Sequence, residues 1–453
     1  MKILMRMGMS PFDNCSLYDV IAKDLIGSNA GNMLFPYSIM NNIYQNGMTI
    51  DPYIAGNEAD ARWINENYDM FLIPLANAFR NDYIVQLQGI TKLIRKLNIP
   101  CIVIGVGMQA DYEPHIEEPR RFDAPVLDFC KAVLEKSESI GVRGEITARY
   151  LTRLGVPANR ITIIGCPSMF MYGEFLPMKK PLNLTKETKI SICYAGRNNP
   201  NFFDFLEIVK EQYPNYCYIL QKTYELKMLY AGDPVPKEFV LHKHYVSTPD
   251  SRSFISNKMR MFINVPSWIN FLSQMDMGIG NCIHGSVASV LSGNPTLVFA
   301  FDSRIRELAE FHKIPLRKIT DASGDTTLES IIENIDFSSV LEGHKERYHN
   351  FVNFLKANHV QPVTNKYGIR TDFEKRILQL SLNNPEGVTP YYTLPLEKQK
   401  EQLQKYLQLC EGKIRWCHNA KAEGKRSEKQ INTFLENWER SKAAVTDNLL
   451  KLR

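Results

Sequence analysis

The sequence lacks a long apolar run, a disulfide pattern and a large charge excess. No stretch reaches the ~18 consecutive apolar residues that a membrane-spanning helix requires, and the first residues form no sustained apolar signal segment. The nine cysteines include no Cys-x-x-Cys pair, which predicts reduced thiols in a cytoplasmic protein. With 54 Lys and Arg against 49 Asp and Glu, the net charge of +5 is too small for a dedicated nucleic-acid-binding protein of 453 residues.

Three widespread nucleotide and nucleophile motifs are also missing. The turn at Gly105-Val-Gly107 lacks the third glycine and the downstream acidic residue of a dinucleotide-binding turn. No Gly-x-x-x-x-Gly-Lys-Ser/Thr loop and no Gly-x-Ser-x-Gly elbow occurs. The sequence therefore argues against NAD-dependent enzymes, P-loop enzymes and hydrolases with a serine elbow.

What is present is an ordinary globular composition, with 44% apolar, 23% charged and 11% aromatic residues. Short apolar runs such as 101–106 alternate with amphipathic stretches such as 82–97, a pattern typical of parallel strands alternating with helices. Two such series, over residues 1–175 and 188–380, predict two doubly wound α/β domains that face each other across a cleft. A Pro- and Lys-rich linker joins them.

Residues 395–453 form a third region, predicted to be a basic helical hairpin. Apolar residues recur there at three- and four-residue spacing on both sides of a turn near Gly424. Thirteen Lys and Arg against eight Asp and Glu from residue 397 onward account for the whole net charge. The composition favours a packing appendage with a solvated basic face, and peripheral contact with the inner face of a membrane is the alternative.

The segment 278–302 carries the strongest chemical pattern. An apolar strand ends in glycines, His284 follows, and a helix of small residues begins at once. Because ligands of open α/β sheets bind at the carboxyl ends of the strands, His284 is expected at a ligand site. The first backbone N–H groups of the helix, at Gly285, Ser286 and Val287, predict an anion cradle. His284 could move a proton near neutral pH, or it could merely cap the helix.

His284-Gly-Ser, followed by Ser292-Gly-Asn-Pro and Asp302-Ser-Arg, resembles the motif of the polysaccharide pyruvyl transferase family. Asn29-Ala-Gly-Asn, Gly105-Val-Gly and Ile140-Gly-Val-Arg resemble earlier blocks of that family, and the resemblance extends over roughly residues 29–315. It implies two Rossmann-like domains in a glycosyltransferase B-like arrangement. It also implies that the enolpyruvyl group of phosphoenolpyruvate is transferred onto two sugar hydroxyls as a cyclic ketal, with no cofactor besides this donor substrate.

The chemistry implied by the resemblance assigns roles to particular residues. Carbon 3 of the enol must gain a proton, a hydroxyl must lose one, and the donor's carboxylate and phosphate need cationic partners. His284 and Asp302 are the expected catalytic residues. The expected substrate-binding residues are Asn32, Arg143, Arg197, Asn281, Gly285 and Ser286.

One position departs from the family pattern. The family commonly has an arginine two residues before the motif histidine, and Cys282 stands there in this chain. Either Arg197, Arg304 or Arg306 supplies the missing charge, or the donor chemistry of this member is altered or its activity is lost. His242 and His244 would share one face of a strand, but no further ligand nearby completes a metal site, so no metal is expected.

Two other functions stay open at this point. A glycosyltransferase of the same architecture could hold a nucleotide-sugar donor on the same helix N-terminus, and Cys282 favours this alternative. A non-catalytic scaffold would have lost the donor site, and His284 opposes that interpretation. For the pyruvyl transferase, the expected partners are phosphoenolpyruvate and a sugar or lipid-linked glycan acceptor, the latter suited to the basic tail.

Overall fold

The computed structural model describes residues 1–178, 182–194, 199–240, 242–363, 371–382, 384–422 and 428–452. It is an α/β protein with two large parallel sheets and a C-terminal helical region. The strands are β1 Lys2–Arg6, β2 Thr49–Tyr53, β3 Met70–Pro74, β4 Cys101–Ile104, β5 Ile140–Val142, β6 Ile161–Ile163, β7 Ile190–Cys193, β8 Cys217–Leu220, β9 Met259–Met261, β10 Met277–Gly280, β11 Thr296–Ala300 and β12 Leu316–Lys318.

Helices alternate with these strands along most of the chain. They are α1 Leu17–Lys23, α2 Leu34–Ile43, α3 Ala61–Asn67, α4 Ile84–Lys96, α5 Asp123–Leu134, α6 Glu145–Arg153, α7 Pro200–Gln212, α8 Thr223–Ala231, α9 Arg252–Ile255, α10 Val265–Leu272, α11 Ile283–Leu291, α12 Ser303–His312, α13 Leu328–Ile332, α14 His344–Ala357, α15 Thr371–Leu382, α16 Leu396–Ala422 and α17 Glu428–Lys451.

The first sheet has the strand order β2-β1-β3-β4, and all of its pairs are parallel. Its central strand β1 buries Ile3, Leu4 and Met5 completely, as expected for a strand covered on both faces. The short pair β5-β6 follows, also parallel. The order reverses between β1 and β3, so a ligand crevice is expected beyond the carboxyl ends of these two strands.

The second sheet has the order β12-β11-β10-β7-β8-β9, again with every pair parallel. Counted from β7, this is the 3-2-1-4-5-6 order of a dinucleotide-binding sheet. Its reversal point lies between β7 and β10, which pair in register from Ile190 with Met277 to Cys193 with Gly280. The prediction of a doubly wound α/β architecture is therefore confirmed.

Several strands and one histidine pair differ from the sequence-based expectation. The structure contains four strands that the sequence does not predict, because they are short or flanked by charged residues: β1, β2, β9 and β12. His242 and His244 lie in a bend and turn region instead of a strand, and their rings sit 5.2 Å apart. The N–H of Tyr245 donates to the carbonyl of His242 at 3.0 Å, so this segment closes a turn.

Helix α14 follows the second sheet but contacts the first half of the chain. Asn350 donates to the carbonyl of Ile163, and the Asn358 side chain just after the helix accepts from the backbone of Glu138. The two α/β regions are thus joined at more than the linker. The domain limits of 1–175, 188–380 and 395–453 stay a prediction.

The helical hairpin expected at the C-terminus is present as α16 and α17, which pack against each other. The predicted turn residue Gly424 lies outside the described residues. Across the described part of the chain, no helix is both long and apolar enough to cross a membrane.

Candidate functional site

The site forms where the reversal point of the second sheet meets the first half of the chain. Strand β10 ends at Gly280, fully buried Asn281 and buried Cys282 follow, and α11 begins at Ile283. His284 is the second residue of α11 and is partly exposed. Its position beyond the carboxyl end of a strand next to the reversal point agrees with the expectation from the sequence.

The N–H groups at the start of α11 that have no partner within the helix lie earlier than predicted. The Ser286 N–H donates to the carbonyl of Cys282 at 3.1 Å, and the Ser286 hydroxyl donates to the same oxygen. The backbone N–H of Ser286 is therefore occupied by the helix itself. The N–H groups without a helical partner are those of Ile283, His284 and Gly285, because the helix starts two residues before the predicted cradle.

Two glycines allow close contacts around His284. A Cβ atom at Gly31 would overlap the imidazole of His284, so only glycine lets the opening turn of the first half lie against this ring. A Cβ atom at Gly285 would overlap the sulfur of Cys193 at the end of β7. Gly285 therefore brings α11 close to the sheet.

A cavity of about 230 Å³ opens beside His284. The ends of β1 and β3, at residues 6–9 and 74–78, line it, together with Gly31 and Asn32. These are the strands that flank the reversal point of the first sheet. The reversal points of both sheets therefore contribute to one cavity.

Three cations surround His284. Burial, together with the charges of Arg304, Arg143 and Lys222, lowers the pKa of His284 to about 3. Burial is the largest of these causes. In the ligand-free protein the imidazole is neutral, which corrects the expectation of a histidine titrating near neutral pH. A neutral imidazole can accept a proton but has none to donate as an acid.

These cations have few direct ionic partners, although the charges of Glu307 and Asp302 act on Arg143. Arg143 is 1% exposed, forms no ion pair with any described residue, and its Nε has no hydrogen-bond partner. Burial lowers the pKa of Arg143. Lys222 likewise has no ion pair with the described residues, and Arg304 approaches one carboxylate, Asp302, at 3.7 Å.

The structure separates the three arginines that could compensate for Cys282. Arg304 lies close enough to His284 and Cys282 to lower both pKa values. Arg306 is paired with Glu113 at 2.5 Å and with Glu310 at 2.7 Å. Arg197 lies outside the described residues. Arg304 is therefore the cation that faces this site.

Cys282 belongs to a small buried network. Its thiol donates to the side-chain oxygen of Gln221 at 3.2 Å, and the Gln221 amide donates to the sulfur of Cys193. The hydrogen bond with Cys193 lowers the pKa of Cys282. The pKa of Cys193 is raised, mainly by burial and also by the hydrogen bond with Cys282. The backbone carbonyl of Gln221 accepts from the N–H of Ala30 at 2.8 Å. The residue at the centre of the network therefore also joins the two halves of the chain.

Asp302 and Asn32 both have structural bonds. One oxygen of Asp302 accepts from the N–H of Ile305 at 3.0 Å and caps α12, while the other faces Gln109 and Arg304. Asp302 is 2% exposed, so its carboxylate is largely shielded from water. Its second oxygen lies 3.7 Å from Arg304 and helps to hold that side chain in place. The Asn32 amide nitrogen donates to two backbone carbonyls, leaving its oxygen as the acceptor at the cavity.

Two residues near the site were missed from the sequence. Lys222 is the second residue after β8, and its place after an apolar strand could have marked it as a strand-end cation. Glu307 on α12 accepts from the N–H and the hydroxyl of Thr147, and burial raises its pKa to about 7. No sequence pattern marks Glu307, because the contact is formed between distant segments.

No group of three or more His, Cys, Asp or Glu residues is placed to hold a metal within the described ranges. His244 instead lies 3.3 Å from Asp204, and His242 stacks on Phe203.

The sequence matches the family model described as polysaccharide pyruvyl transferase over residues 29–303, which is more than half of the chain. The chain belongs to this family. As a member of the polysaccharide pyruvyl transferase family it is a transferase, and the matched range contains His284, Arg143, Lys222 and Cys282. No curated protein matches the chain.

Solved structures show distant similarity. A UDP-GlcNAc 2-epimerase from Neisseria meningitidis bound to UDP-GlcNAc is 10% identical, with a TM-score of 0.41 over 79% of this chain and 100% of that chain. A UDP-N-acetylglucosamine 2-epimerase from Rickettsia bellii is 12% identical, with a TM-score of 0.41 over 79% of this chain and 96% of its own.

Proposed function

We propose that this pyruvyl transferase moves the enolpyruvyl group of phosphoenolpyruvate onto a sugar of a cell-surface polysaccharide precursor as a cyclic ketal. The observation that carries the proposal is the set of three cations around His284, of which two have no ion pair among the described residues. Charges buried without partners are costly. A donor that carries both a carboxylate and a phosphate would supply the missing negative charge.

The donor groups fit different parts of this arrangement. Arg143 and Arg304 can each bind a carboxylate or phosphate through two parallel N–H bonds. Lys222 offers a point charge, and the N–H groups of Ile283 and His284 at the start of α11 suit a phosphate. Asp302 serves as a positioning residue because it holds Arg304. Arg197 and Asn281 remain proposed contacts of the donor.

The first bond is formed by adding a sugar hydroxyl across the enol double bond. The hydroxyl oxygen attacks carbon 2 of phosphoenolpyruvate, and a proton is added to carbon 3. Neutral His284 accepts the hydroxyl proton, which increases the nucleophilicity of the oxygen. Carbon 2 then carries the sugar oxygen, the phosphate, the carboxylate and a methyl group.

The second bond closes the ketal. The second hydroxyl attacks carbon 2, the bond from carbon 2 to the phosphate oxygen breaks, and inorganic phosphate leaves with the cations and the start of α11 as its partners. The proton of this hydroxyl leaves with the phosphate or through His284. No oxidant or reductant is needed.

Donor binding and the protonation of His284 are coupled in this mechanism. The cations that lower the pKa of His284 are the ones that the donor's negative charges would neutralise. Binding of phosphoenolpyruvate is therefore expected to raise the pKa of His284 by removing the part of the shift that the cations cause, while the effect of burial remains. The histidine could then return its proton to carbon 3 within the bound complex.

The acceptor is expected on the side of the first sheet. Asn32 would orient a sugar hydroxyl through its amide oxygen, and Arg6 and Arg80 stand over the Tyr83 ring at 5.9 and 5.1 Å beside the same cavity. The cytoplasmic location, with membrane contact through the tail, stays a prediction from composition.

Thermal unfolding in the presence of separate ligands tests the donor. At about 100 times its dissociation constant, phosphoenolpyruvate should add roughly 2.7 kcal/mol to the free energy of unfolding. UDP, GDP and CMP serve as competing donor fragments. Stabilisation abolished by Arg143→Met would support this assignment. No stabilisation by phosphoenolpyruvate, combined with a nucleotide effect that Arg143→Met removes, would reassign the donor to a nucleotide sugar.

A further inference from the structure

A second, larger cavity lies between the C-terminal hairpin and the rest of the chain. It encloses about 940 Å³ and is lined by α8, by the loop that follows α8 and by both hairpin helices. It also reaches Lys222 and Arg304, which flank His284. The hairpin lies outside residues 29–303, so the family match does not account for this wall.

The hairpin wall is held firmly against α8. The hydroxyls of Tyr406 and Ser441 both donate to Asp233 at 2.6 Å, and the Asn448 amide donates to the carbonyl of Ala231 at 2.9 Å. Lys413 donates to the carbonyl of Ala22 at 3.1 Å. These bonds come from both hairpin helices, so the cavity is a built feature of the fold.

Positive charge dominates the lining of this cavity. The described residues around it include three carboxylates, Asp24, Asp82 and Asp233. All three already accept bonds from protein groups: Asp24 from Thr223, Asp82 from Arg80 and Asp233 from the hairpin. The cationic side chains in the lining are Arg80, Lys222, Lys227, Arg304, Lys413 and Arg440.

Several of these cations have no ionic partner. Lys222, Lys227 and Arg440 form no ion pair with the described residues, and the Nε of Arg440 is buried without a hydrogen-bond partner. Burial lowers the pKa of Lys227. By contrast, Lys442 on the same helix as Arg440 is paired with Glu411 at 3.1 Å and does not line the cavity.

Aromatic surfaces lie beside these cations. The ammonium of Lys227 is 4.0 Å from the centre of the Trp438 ring, and Tyr224 and Phe239 stack with ring centres 4.7 Å apart. Trp416 and Phe434 also line the cavity. Flat apolar faces next to positive charge suit a ligand with an anionic group joined to a sugar ring or another apolar body.

We propose that the hairpin cavity binds the acceptor through a diphosphate, so that the substrate of this enzyme is a sugar carried on a diphosphate group. The inference rests on the proposed function, because it places the acceptor next to the donor site at His284. A diphosphate supplies negative charge to Lys227, Lys413 and Arg440, which the donor does not use, and a neutral glycan would leave Lys227 and Arg440 without an ionic partner. Nucleoside diphosphate sugars and lipid diphosphate sugars share this chemistry.

Calorimetric titration of the full-length protein with UDP and with farnesyl diphosphate, both in saturating phosphoenolpyruvate, tests the proposal. Arg440→Gln is the test variant, since it removes no ion pair of the folded protein, and Lys442→Gln on the same helix is the matched control. At least one probe should bind beside phosphoenolpyruvate. Its dissociation constant should rise about tenfold in Arg440→Gln and stay unchanged in Lys442→Gln.

Each result has a defined meaning. Binding of UDP alone identifies a nucleotide carrier, and binding of farnesyl diphosphate alone identifies a lipid carrier. No binding of either probe, or equal affinity in Arg440→Gln and wild type, overturns the proposal. A thermal scan of each variant verifies that it is folded, and Lys227→Gln, which removes no ion pair with the described residues, provides an independent second variant.

The proposed function can fail separately. If phosphoenolpyruvate itself does not bind, the donor assignment fails whatever the diphosphate probes do, and the probes are then titrated alone. If phosphoenolpyruvate binds and the probes compete with it, they occupy the His284 site and the hairpin cavity is not the acceptor site.

Discussion

His284 and His312 lie at similar places but in different surroundings. Both are on helices of the second sheet that touch the first half of the chain, and burial lowers the pKa of both. His312 is completely buried, its Nε2 accepts from the N–H of Cys166 at 2.8 Å, and its ring packs on Phe170. His284 lines a cavity and is flanked by cations.

The comparison shows that a shifted pKa alone does not mark a catalytic histidine. His312 is neutral because it is buried as an acceptor inside the interface, where its bond positions the turn at Cys166. His284 is neutral because burial lowers its pKa, and the nearby cations Arg304, Arg143 and Lys222 lower it as well. The accessible cavity and the unpaired cations distinguish the site from the structural contact.

His284→Ala should have the largest effect on the reaction. Loss of the base should reduce kcat/KM about a thousandfold, because general acid–base catalysis contributes on the order of 10² to 10⁴. The free energy of unfolding should change little, since the ring is partly exposed and has no bond to the described residues. Steady-state release of phosphate and chemical denaturation measure the two quantities. Turnover within a few-fold of wild type would remove His284 from the mechanism.

Arg143→Met sharpens the contrast between site and scaffold. Removing a buried cation that has no ion pair should lower kcat/KM for phosphoenolpyruvate roughly a hundredfold, as expected for loss of a charged contact in a dry site. The same change should leave the free energy of unfolding equal or higher. Arg306→Met is the control, because Arg306 is satisfied by Glu113 and Glu310 at the surface. Equal kinetic losses in both variants would contradict the assignment of Arg143.

His312→Ala should reverse the pattern seen at position 284. The Cys166 N–H would lose its acceptor, so the free energy of unfolding should fall by about 2 kcal/mol at pH 7.5 while kcat/KM changes only a few-fold. Because the folded pKa of His312 lies well below 6.5, the unfolded chain binds the extra proton as the pH falls below 6.5. Wild type should therefore lose stability there, and the deficit of the variant should shrink by about 1.4 kcal/mol per pH unit. A constant deficit between pH 7.5 and 5 would show that folding does not lower the pKa of His312.

Part of this site could be predicted because it is local in sequence. His284 lies at the end of an apolar strand and the start of a helix, and both elements follow from nearby residues. Arg143 likewise follows directly after β5. The N–H groups without a helical partner lie about two residues before the predicted ones. The start of a helix depends on which carbonyl accepts the first helical hydrogen bond, and here the carbonyl of Cys282 accepts it.

Other features come from contacts between distant segments. Glu307 meets Thr147, and Gly31 meets His284, although long stretches of chain separate each pair. The strand β1 was missed because its five residues carry charges at both ends, yet its neighbours on both sides bury its centre. The role of the hairpin as a cavity wall also needed the packing of α16 and α17 against α8.

The sequence by itself determined the alternation of strands and helices, the helical hairpin and the position of His284 at a strand end, because spacing and apolar runs encode local structure. Only the tertiary structure decided that His284 is neutral, that Arg304 and Lys222 face the position where Cys282 stands, and that the hairpin encloses a cationic cavity. Burial and electrostatic fields depend on which groups come together in space, and the local sequence pattern does not encode the distances between groups that are far apart in the chain.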